Sequence, residues 1–457
     1  MMKNKKPAIA VIDVGKTNKK MFLFDQDYNI LYERSARFLE TIDEDGDPCE
    51  NLESLRLSVF DSLRSLFNKK DFEVKAINFS AYGASFVNIN EEGTPVTPLY
   101  NYLKEYPEEL KNQFYRSYGG EEVFSLSSAS PVLGSLNSGM QLYRLKYEKP
   151  EVFEQIKYSL HLPQYLSYLI SCKACSDITS IGCHTNLWDF KKDDYQEWVY
   201  AEGIDRKLGP ICSYDETTKA VFPGNNYVVG TGLHDSSAAL IPYLVNFHEP
   251  FVLLSTGTWC ISLNPFNETP VTTEELKQDC LCYLQHQRKP VKASRLFSGP
   301  GYEEGVKRIA DHFHRNIIKY RTIQFDPEIA SAIQRNGSGL NGSLAFREKE
   351  ISSFASDEEA YHQLVYDIIR EQTRSTKLIL DGSPVKRLFV DGGFSRNAVY
   401  MNFLAIAFPE LEVYAASMAQ ATALGAALAI HTAWNKKTLP NTLIKLQYYS
   451  AAQTAVV

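Results

Sequence analysis

A chain of 457 residues is too long for one compact core, so two domains of roughly 200 residues each are expected. Its 44% apolar and 23% charged content is that of a globular protein without extensive disorder. A net charge of −7 speaks against a broad basic footprint for nucleic acid or an anionic membrane, although backbone N–H groups and Mg²⁺ can still bind a local anion such as a nucleotide.

The basic start "MMKNKKPAIAVID" carries no signal-type apolar core, and no stretch approaches membrane-spanning length. Eight scattered cysteines suit a reducing cytoplasm. Cys172, Cys175 and Cys183-His184 stand at ligand-like spacing, but no second pair follows at zinc-ribbon distance, so they read as buried free thiols.

In chain order, Ile9–Asp13, Lys20–Phe24 and Ile30–Arg37 read as strands, the last two flanking the turn "DQDYN". Apolar steps of three and four predict a helix over Leu52–Phe67, and "VKAINFSAY" is strand-like again. That order opens a ribonuclease H-like α/β unit. Asn101 to Ala220 is Tyr-rich and largely helical, and reads as an insertion covering one side of a cleft. In "GLHDSSAAL" a helix is expected from Ser236, with Asp235 either capping it or pointing into a cleft to take a proton. "IPYLVNFHEP" then separates this small-residue helix from a new strand.

The second half repeats the scheme. "PFVLLSTGTWCISLNP" gives two strands about a Ser-Thr-Gly-Thr turn, and "CLCYLQHQ" and "VKASRLF" give two more, with Cys280 and Cys282 as core. A long helix is expected over Asp357–Ile379, then the strand and Gly-Gly turn of "VKRLFVDGG". "RNAVYMNFLAIAF" and "ASMAQATALGAALAIHTAW" read as helices. The β-rich start of each half makes an internal duplication the expected architecture, with domains at 1–245 and 246–457.

Chemistry concentrates at the turns. In "IDVGKTN", Asp13 ends an apolar strand, Gly15 would give a tight turn at positive φ, and Lys16, Thr17 and Asn18 offer donors to anionic oxygens. A carboxylate there can hold hydrated Mg²⁺; the plainer reading is an ordinary hairpin. Ser255–Trp259, "STGTW", repeats the arrangement, so two hairpins could grip a phosphate chain from both sides. "VDGGFSRN" puts Gly392 and Gly393 between strand and helix, where backbone can approach a ring or phosphate and Asn397 can reach it; alone, such a pair is turn chemistry.

Taken together, the hairpin Asp13–Asn18, "GLHD", "LLSTGTW", "SGPGYEEGVKRI", "FVDGGFSRN", "ATALGAALAI" and the looser "LYRLKYEKPEVFEQIKYSLHLPQYLSYLI" resemble the FGGY sugar kinases of the actin, hexokinase and heat-shock chaperone superfamily. The resemblance implies an α/β fold of two ribonuclease H-like domains flanking a cleft, the first binding sugar and the second ATP, with Mg²⁺. It implies Asp235 as general base, Asp13 and Asp235 near the metal, and Gly15, Lys16, Thr17, Asn18, Gly257 and Thr258 at the phosphates. Gly393 and Asn397 would sit against adenosine with Gly301 nearby, and Gly83, Ala84 and His234 against the sugar. A helix N-terminus would lower the pKa of Asp235.

"HD" at 234–235 and "STGTW" look more like the rhamnulose and fuculose kinase branch than the glycerol or xylulose branches. The implied substrate is a 6-deoxyketohexose, L-rhamnulose or L-fuculose. A pentulose (ribulose or xylulose) kinase is the alternative, and a catalytically silent sugar- and nucleotide-binding regulator is a third reading. Asn101, Tyr102 and Lys104 stand where the family often has an aromatic-x-Asp or Arg-Asp pair, and "LPQYL" lacks a frequent Asp. The implied partners are a small sugar and ATP, with neither nucleic acid nor membrane; a homodimer is a family-level expectation.

Overall fold

The computed structural model describes residues 5–16, 18–37, 39–222, 224, 226–336, 345–417, 420–440 and 442–450. Two seven-stranded mixed sheets organise them. The first contains β1 (Lys6–Val14), β2 (Lys19–Phe24), β3 (Ile30–Ala36), β4 (Phe72–Ala81), β5 (Thr217–Lys219), β6 (Val228–Gly230) and the short β7 (Leu233–His234), with α1 (Leu52–Phe67) between β3 and β4. Its order is β5-β6-β4-β1-β2-β3, with β7 added on β4. β1 is central, and Ala8 to Val11 are wholly buried, which is why this strand reads as an unbroken apolar run rather than an alternation.

The second sheet contains β8 (Phe251–Thr256), β9 (Cys260–Asn264), β10 (Cys280–Leu284), β11 (Pro290–Leu296), β12 (Arg387–Gly392), β13 (Glu412–Ser417) and β14 (Lys445–Tyr449), in the order β10-β11-β9-β8-β12-β13-β14. The two sheets share one plan. An opening strand (β1, β8) turns back antiparallel on the next (β2, β9) and pairs in parallel with a later one (β4, β12).

Between the sheets lie α2 (Asp235–Asn246) and, from the far end of the chain, α6 (Ala421–Ala429); α3 (Gly299–His312), α4 (Asp357–Leu380) and α5 (Ala398–Ala407) belong to the second half. One apolar cluster takes Val11, Phe22 and Leu240 from the first half together with Leu253, Phe389 and Leu424 from the second. The contact between α2 and α6 is made backbone to backbone. A Cβ on Gly425 would stand 1.8 Å from the Ala238 carbonyl oxygen. Pro242 lies within α2 and has no N–H to give the carbonyl four residues earlier, which is that same Ala238 oxygen. Proline frees the carbonyl, and glycine lets the other helix close over it.

Within the insertion, the ring of Phe114 meets those of Tyr115, Phe124, Tyr143 and Trp198 at 5.0–5.1 Å, so the tyrosine-rich faces there are packed core. Three sequence expectations need correction. The helix expected from Ala416 onward starts only at Ala421, because Glu412–Ser417 pairs in parallel with β12 as a strand. Of the thiols expected to be buried, Cys175 and Cys183 are, whereas Cys172 is exposed just past a helix end. The helix expected from Ser236 begins at Asp235, so His234 occupies the cap position. Among the described residues no helix is long and apolar enough to cross a membrane.

Candidate active site

A cleft of about 600 Å³ opens between the sheets. Asp13, Gly15, Lys16, Asn18, Gly83, Ala84, His234, Asp235, Gly257 and Thr258 all line it. Residues that lie 240 positions apart in sequence meet there because β1, β7 and β8 all end at the same edge.

Asp13 stands at the end of β1 and accepts a hydrogen bond from Thr422 Oγ1 (2.8 Å), on the first turn of α6. Burial raises its pKa to about 6, opposed by the Thr422 hydroxyl and reinforced by the charge of Asp235. The hairpin closes through Gly15 N–H donating to Asn18 O (2.9 Å). Gly15 is not at positive φ, contrary to expectation; its lack of a side chain matters instead because a Cβ would lie 3.1 Å from the Asn18 oxygen. Lys16 pairs with Glu40 (3.2 Å) and Glu50 (3.4 Å) beside the rings of Tyr82 and Tyr102, so its ammonium is held against the first half. Thr17 lies outside the described residues.

Asp235 is the first residue of α2. Its Oδ1 accepts from Ser236 N–H (2.6 Å) and Ser236 Oγ (3.3 Å) and faces His234 Nε2 at 3.1 Å, while Oδ2 has no hydrogen-bond partner among the described residues. One oxygen is thus anchored and the other is left to the cleft, where the side chain keeps 31% exposure. Burial raises its pKa to about 6 despite the Ser236 donors. This reverses the expectation that the helix N-terminus would lower it: removal from water outweighs the dipole.

His234 is buried and its pKa falls to about 3, so the ring is neutral. The hydrogen-bond partner of Nε2 is Cys183 Sγ (3.3 Å), so the neutral ring approaches Asp235 as a neighbour. Thr179 Oγ1 accepts from the His234 backbone (3.0 Å). Gly83 packs against this pair, since a Cβ there would meet Cys183 Sγ at 2.7 Å and the His234 ring at 3.0 Å. Ala84, at φ +60°, gives its carbonyl to Gln141 Nε2 (2.7 Å).

In the second half, Gly257 N–H donates to Trp259 O (3.0 Å) and closes the matching hairpin, with Gly257 and Thr258 exposed at its tip. Gly299 N–H donates to Thr258 O (3.1 Å), which sets the N-terminus of α3 against that hairpin. Gly392, at φ +87°, has to be glycine because a Cβ would lie 1.9 Å from Thr256 O. Gly393 and Phe394 donate their N–H groups to Thr256 O and Oγ1 (both 3.0 Å), tying the Gly-Gly turn to β8. Gly301, Gly393 and Asn397 stand outside the cleft lining. Gly301 and Gly393 have open space around them, whereas Asn397 caps α5 through Tyr400 N–H (3.1 Å) and donates to Tyr361 OH (2.8 Å).

Sequence reasoning did not single out several lining residues, Lys20, Leu136, Tyr283, Arg295 and Thr422, and weighed His184 only with the cysteines beside it. Tyr102, noted only as a departure, lines the cleft too, and Lys104 beside it binds Asp43 (2.5 Å), Asp45 (2.7 Å) and Asp47 (3.1 Å). Sequence offered no signal for Arg295, since Lys292 and Ser294 stand in the same strand.

Two duplicated sheets with facing hairpins at the cleft define the actin- and hexokinase-type kinase fold. Residues 8–240 match the N-terminal domain of the FGGY family of carbohydrate kinases, and residues 248–438 match the C-terminal domain of carbohydrate kinase FGGY. The chain belongs to the FGGY family of carbohydrate kinases. Its fold is similar to that of a carbohydrate kinase from Novosphingobium aromaticivorans (24% identity, 99% of this chain and 96% of that one, TM-score 0.78). It is also similar to a ligand-bound xylulose kinase (14% identity, 98% and 95%, TM-score 0.80) and a gluconate kinase (15% identity, 99% and 95%, TM-score 0.80), both from Lactobacillus acidophilus.

Proposed function

We propose that this carbohydrate kinase transfers the γ-phosphoryl group of ATP to a terminal hydroxyl of a small ketose, with Asp235 as the general base. The observation that carries the reading is the division of labour at one carboxylate. Oδ1 is fixed by Ser236, with His234 Nε2 3.1 Å away, and Oδ2 is open to the cleft. As the hydroxyl oxygen attacks phosphorus and the bond to ADP breaks, its proton passes to Oδ2, while the Ser236 donors hold the carboxylate in line. The chain divides near 245–246, with the sugar against Gly83, Ala84 and the His234 edge and the nucleotide on the second part. Gly257 and Thr258 line the phosphates beside the N-terminus of α3, Gly15, Lys16 and Asn18 approach from the facing hairpin, and Gly301, Gly393 and Asn397 lie toward the adenosine.

The acidic pair fits a hydrated divalent cation. Asp13 has a hydroxyl rather than a cation as its hydrogen-bond partner, and it senses the charge of Asp235. Asp13, with Asp235 beside it, would hold Mg²⁺, which when bound neutralises phosphate charge.

For the sugar, the reading is a 6-deoxyketohexose, L-rhamnulose or L-fuculose. Leu136 and Ala84 in the lining offer an apolar patch of the kind a terminal methyl group fills. A hydrophobic pocket separates methyl from hydroxymethyl by only about 1–3 kcal/mol, so pentuloses belong in the same assay. The eight cysteines stand as free thiols, which suits a reducing cytoplasm. ADP release should be followed over a panel of ketoses and polyols with ATP and Mg²⁺. Turnover of a 6-deoxyketohexose ahead of the pentuloses supports the assignment, preference for xylulose or ribulose replaces the sugar, and no turnover of any sugar removes the reaction.

A further inference from the structure

Arg295 lies on β11 of the second half yet lines the cleft beside His184 and Tyr283. Only 4% of its side chain is exposed. Its side-on edge is taken: Nε and Nη2 donate to Asp279 Oδ2 (3.2 Å) and Oδ1 (2.6 Å). A guanidinium has five N–H donors in a planar fork. The Asp279 pair uses two of them, and Nη1 has no hydrogen-bond partner among the described residues. The end-on edge, formed by Nη1 and the second proton of Nη2, is therefore left for something in the cleft. The ring of Trp259, 5.3 Å from the guanidinium carbon, fixes the plane from one side.

His184, also in the lining, has both ring nitrogens engaged: Nδ1 faces Leu136 O at 3.0 Å and Nε2 faces Cys183 Sγ at 3.5 Å, so it does not take up the free edge of Arg295. Burial and the Arg295 charge both hold that ring neutral. A buried donor fork with one edge free in the cleft suits a small polyoxygenated molecule that carries two acceptor oxygens at one end.

We infer that Arg295 is a specificity residue reaching from the nucleotide half into the sugar subsite, where its free edge takes two neighbouring acceptor oxygens of the substrate. Asp279 is its positioning residue. The shared chemistry is a paired set of oxygens, supplied either by the carbonyl and adjacent hydroxyl of an open-chain ketose or by the carboxylate of an aldonate. This deepens the proposed function and rests on it for the identity of the subsite.

The test is calorimetric titration of ketoses and of aldonates, and separately of a non-hydrolysable ATP analogue, into wild-type protein and into Arg295→Lys and Arg295→Met, each checked by circular dichroism and thermal melting. Arg295→Lys keeps the charge and loses the fork. Both variants should bind the preferred sugar roughly 10–100-fold more weakly, the worth of a charge-assisted pair, with nucleotide affinity unchanged. The class of sugar whose affinity falls decides between ketose and aldonate. Unchanged sugar affinity in a folded variant, an equal loss of nucleotide affinity, or a wild type that binds neither class would overturn the assignment. Should the wild type bind and phosphorylate sugar while Arg295→Met keeps its affinity, only this inference falls. Loss of sugar binding in the variants of a protein that transfers no phosphate would instead remove the kinase reading and leave Arg295 in place.

Discussion

The two halves of the molecule fold alike but carry their acids differently. In the first, Asp13 stands two residues before the hairpin glycine, and its partner across the parallel pair is Ser80. In the second, the residue two before the glycine is Ser255, and its partner is Asp391. Carboxylate and hydroxyl have exchanged strands. The exchange decides their surroundings, since Asp13 lines the cleft whereas Asp391 does not; Asp391 is buried and accepts Gly392 N–H (2.6 Å). Duplication supplies two hairpins, and this asymmetry makes one the acidic jaw and the other the hydroxyl-bearing jaw.

The sharpest test of that division is charge removal. Asp235→Asn should lower kcat by about 10²–10⁴-fold, as loss of a general base does, while ATP binding measured by titration stays nearly intact. Asp13→Asn should also cost activity, and Asp391→Asn should leave kcat within a few-fold of wild type. A fall in Asp391→Asn as large as that in Asp13→Asn would break the comparison.

A second break can be aimed at the joint between the halves. Gly425→Ala places a methyl group where only 1.8 Å is open, against backbone that cannot swing aside. The expected cost is about 3 kcal/mol or more, read by denaturant unfolding. A neutral outcome would mean that the two halves do not meet through this crossing.

Dependence on pH follows from the raised carboxyl. As Asp235 takes a proton near pH 6, kcat/KM should fall as pH drops through that value. The stability effect has the opposite sign. A carboxyl with its folded pKa above its unfolded one loses stability as pH rises from about 4 to about 6. Asp235→Asn should therefore melt higher than wild type at pH 8, by up to about 1–3 kcal/mol, and show no such gain at pH 4. The smallest effect is expected from Lys16→Met, a few-fold rise in KM for ATP, because Glu40 and Glu50 already draw that ammonium away from the phosphates.

Much of the fold was legible because its strands are long apolar runs ending in glycine turns, and the hairpins, α2 and the Gly-Gly turn fell where spacing placed them. Residues at strand ends, Asp13 and Asp235 among them, could be read because local order alone puts them at an edge. Arg295, Tyr283 and Thr422 could not, since each reaches the cleft through packing with segments distant in sequence. Sequence also does not show that Asn397 already spends one N–H on Tyr361 and one lone pair on Tyr400. The pKa of Asp235 was misjudged because sequence reveals the helix beneath a carboxyl and not the water that folding takes away from it.

The crossing at Ala238 and Gly425 has a mechanical consequence. Both acids sit close to it: Asp235 begins one of the crossing helices, and Asp13 is tied to the first turn of the other through Thr422. Rotation about a pivot moves distant points most. Any swing of one half on the other about this crossing would therefore move the far ends of the cleft most and hardly disturb the spacing of Asp13 and Asp235. Such tongs can open wide for a substrate and keep their working point in register.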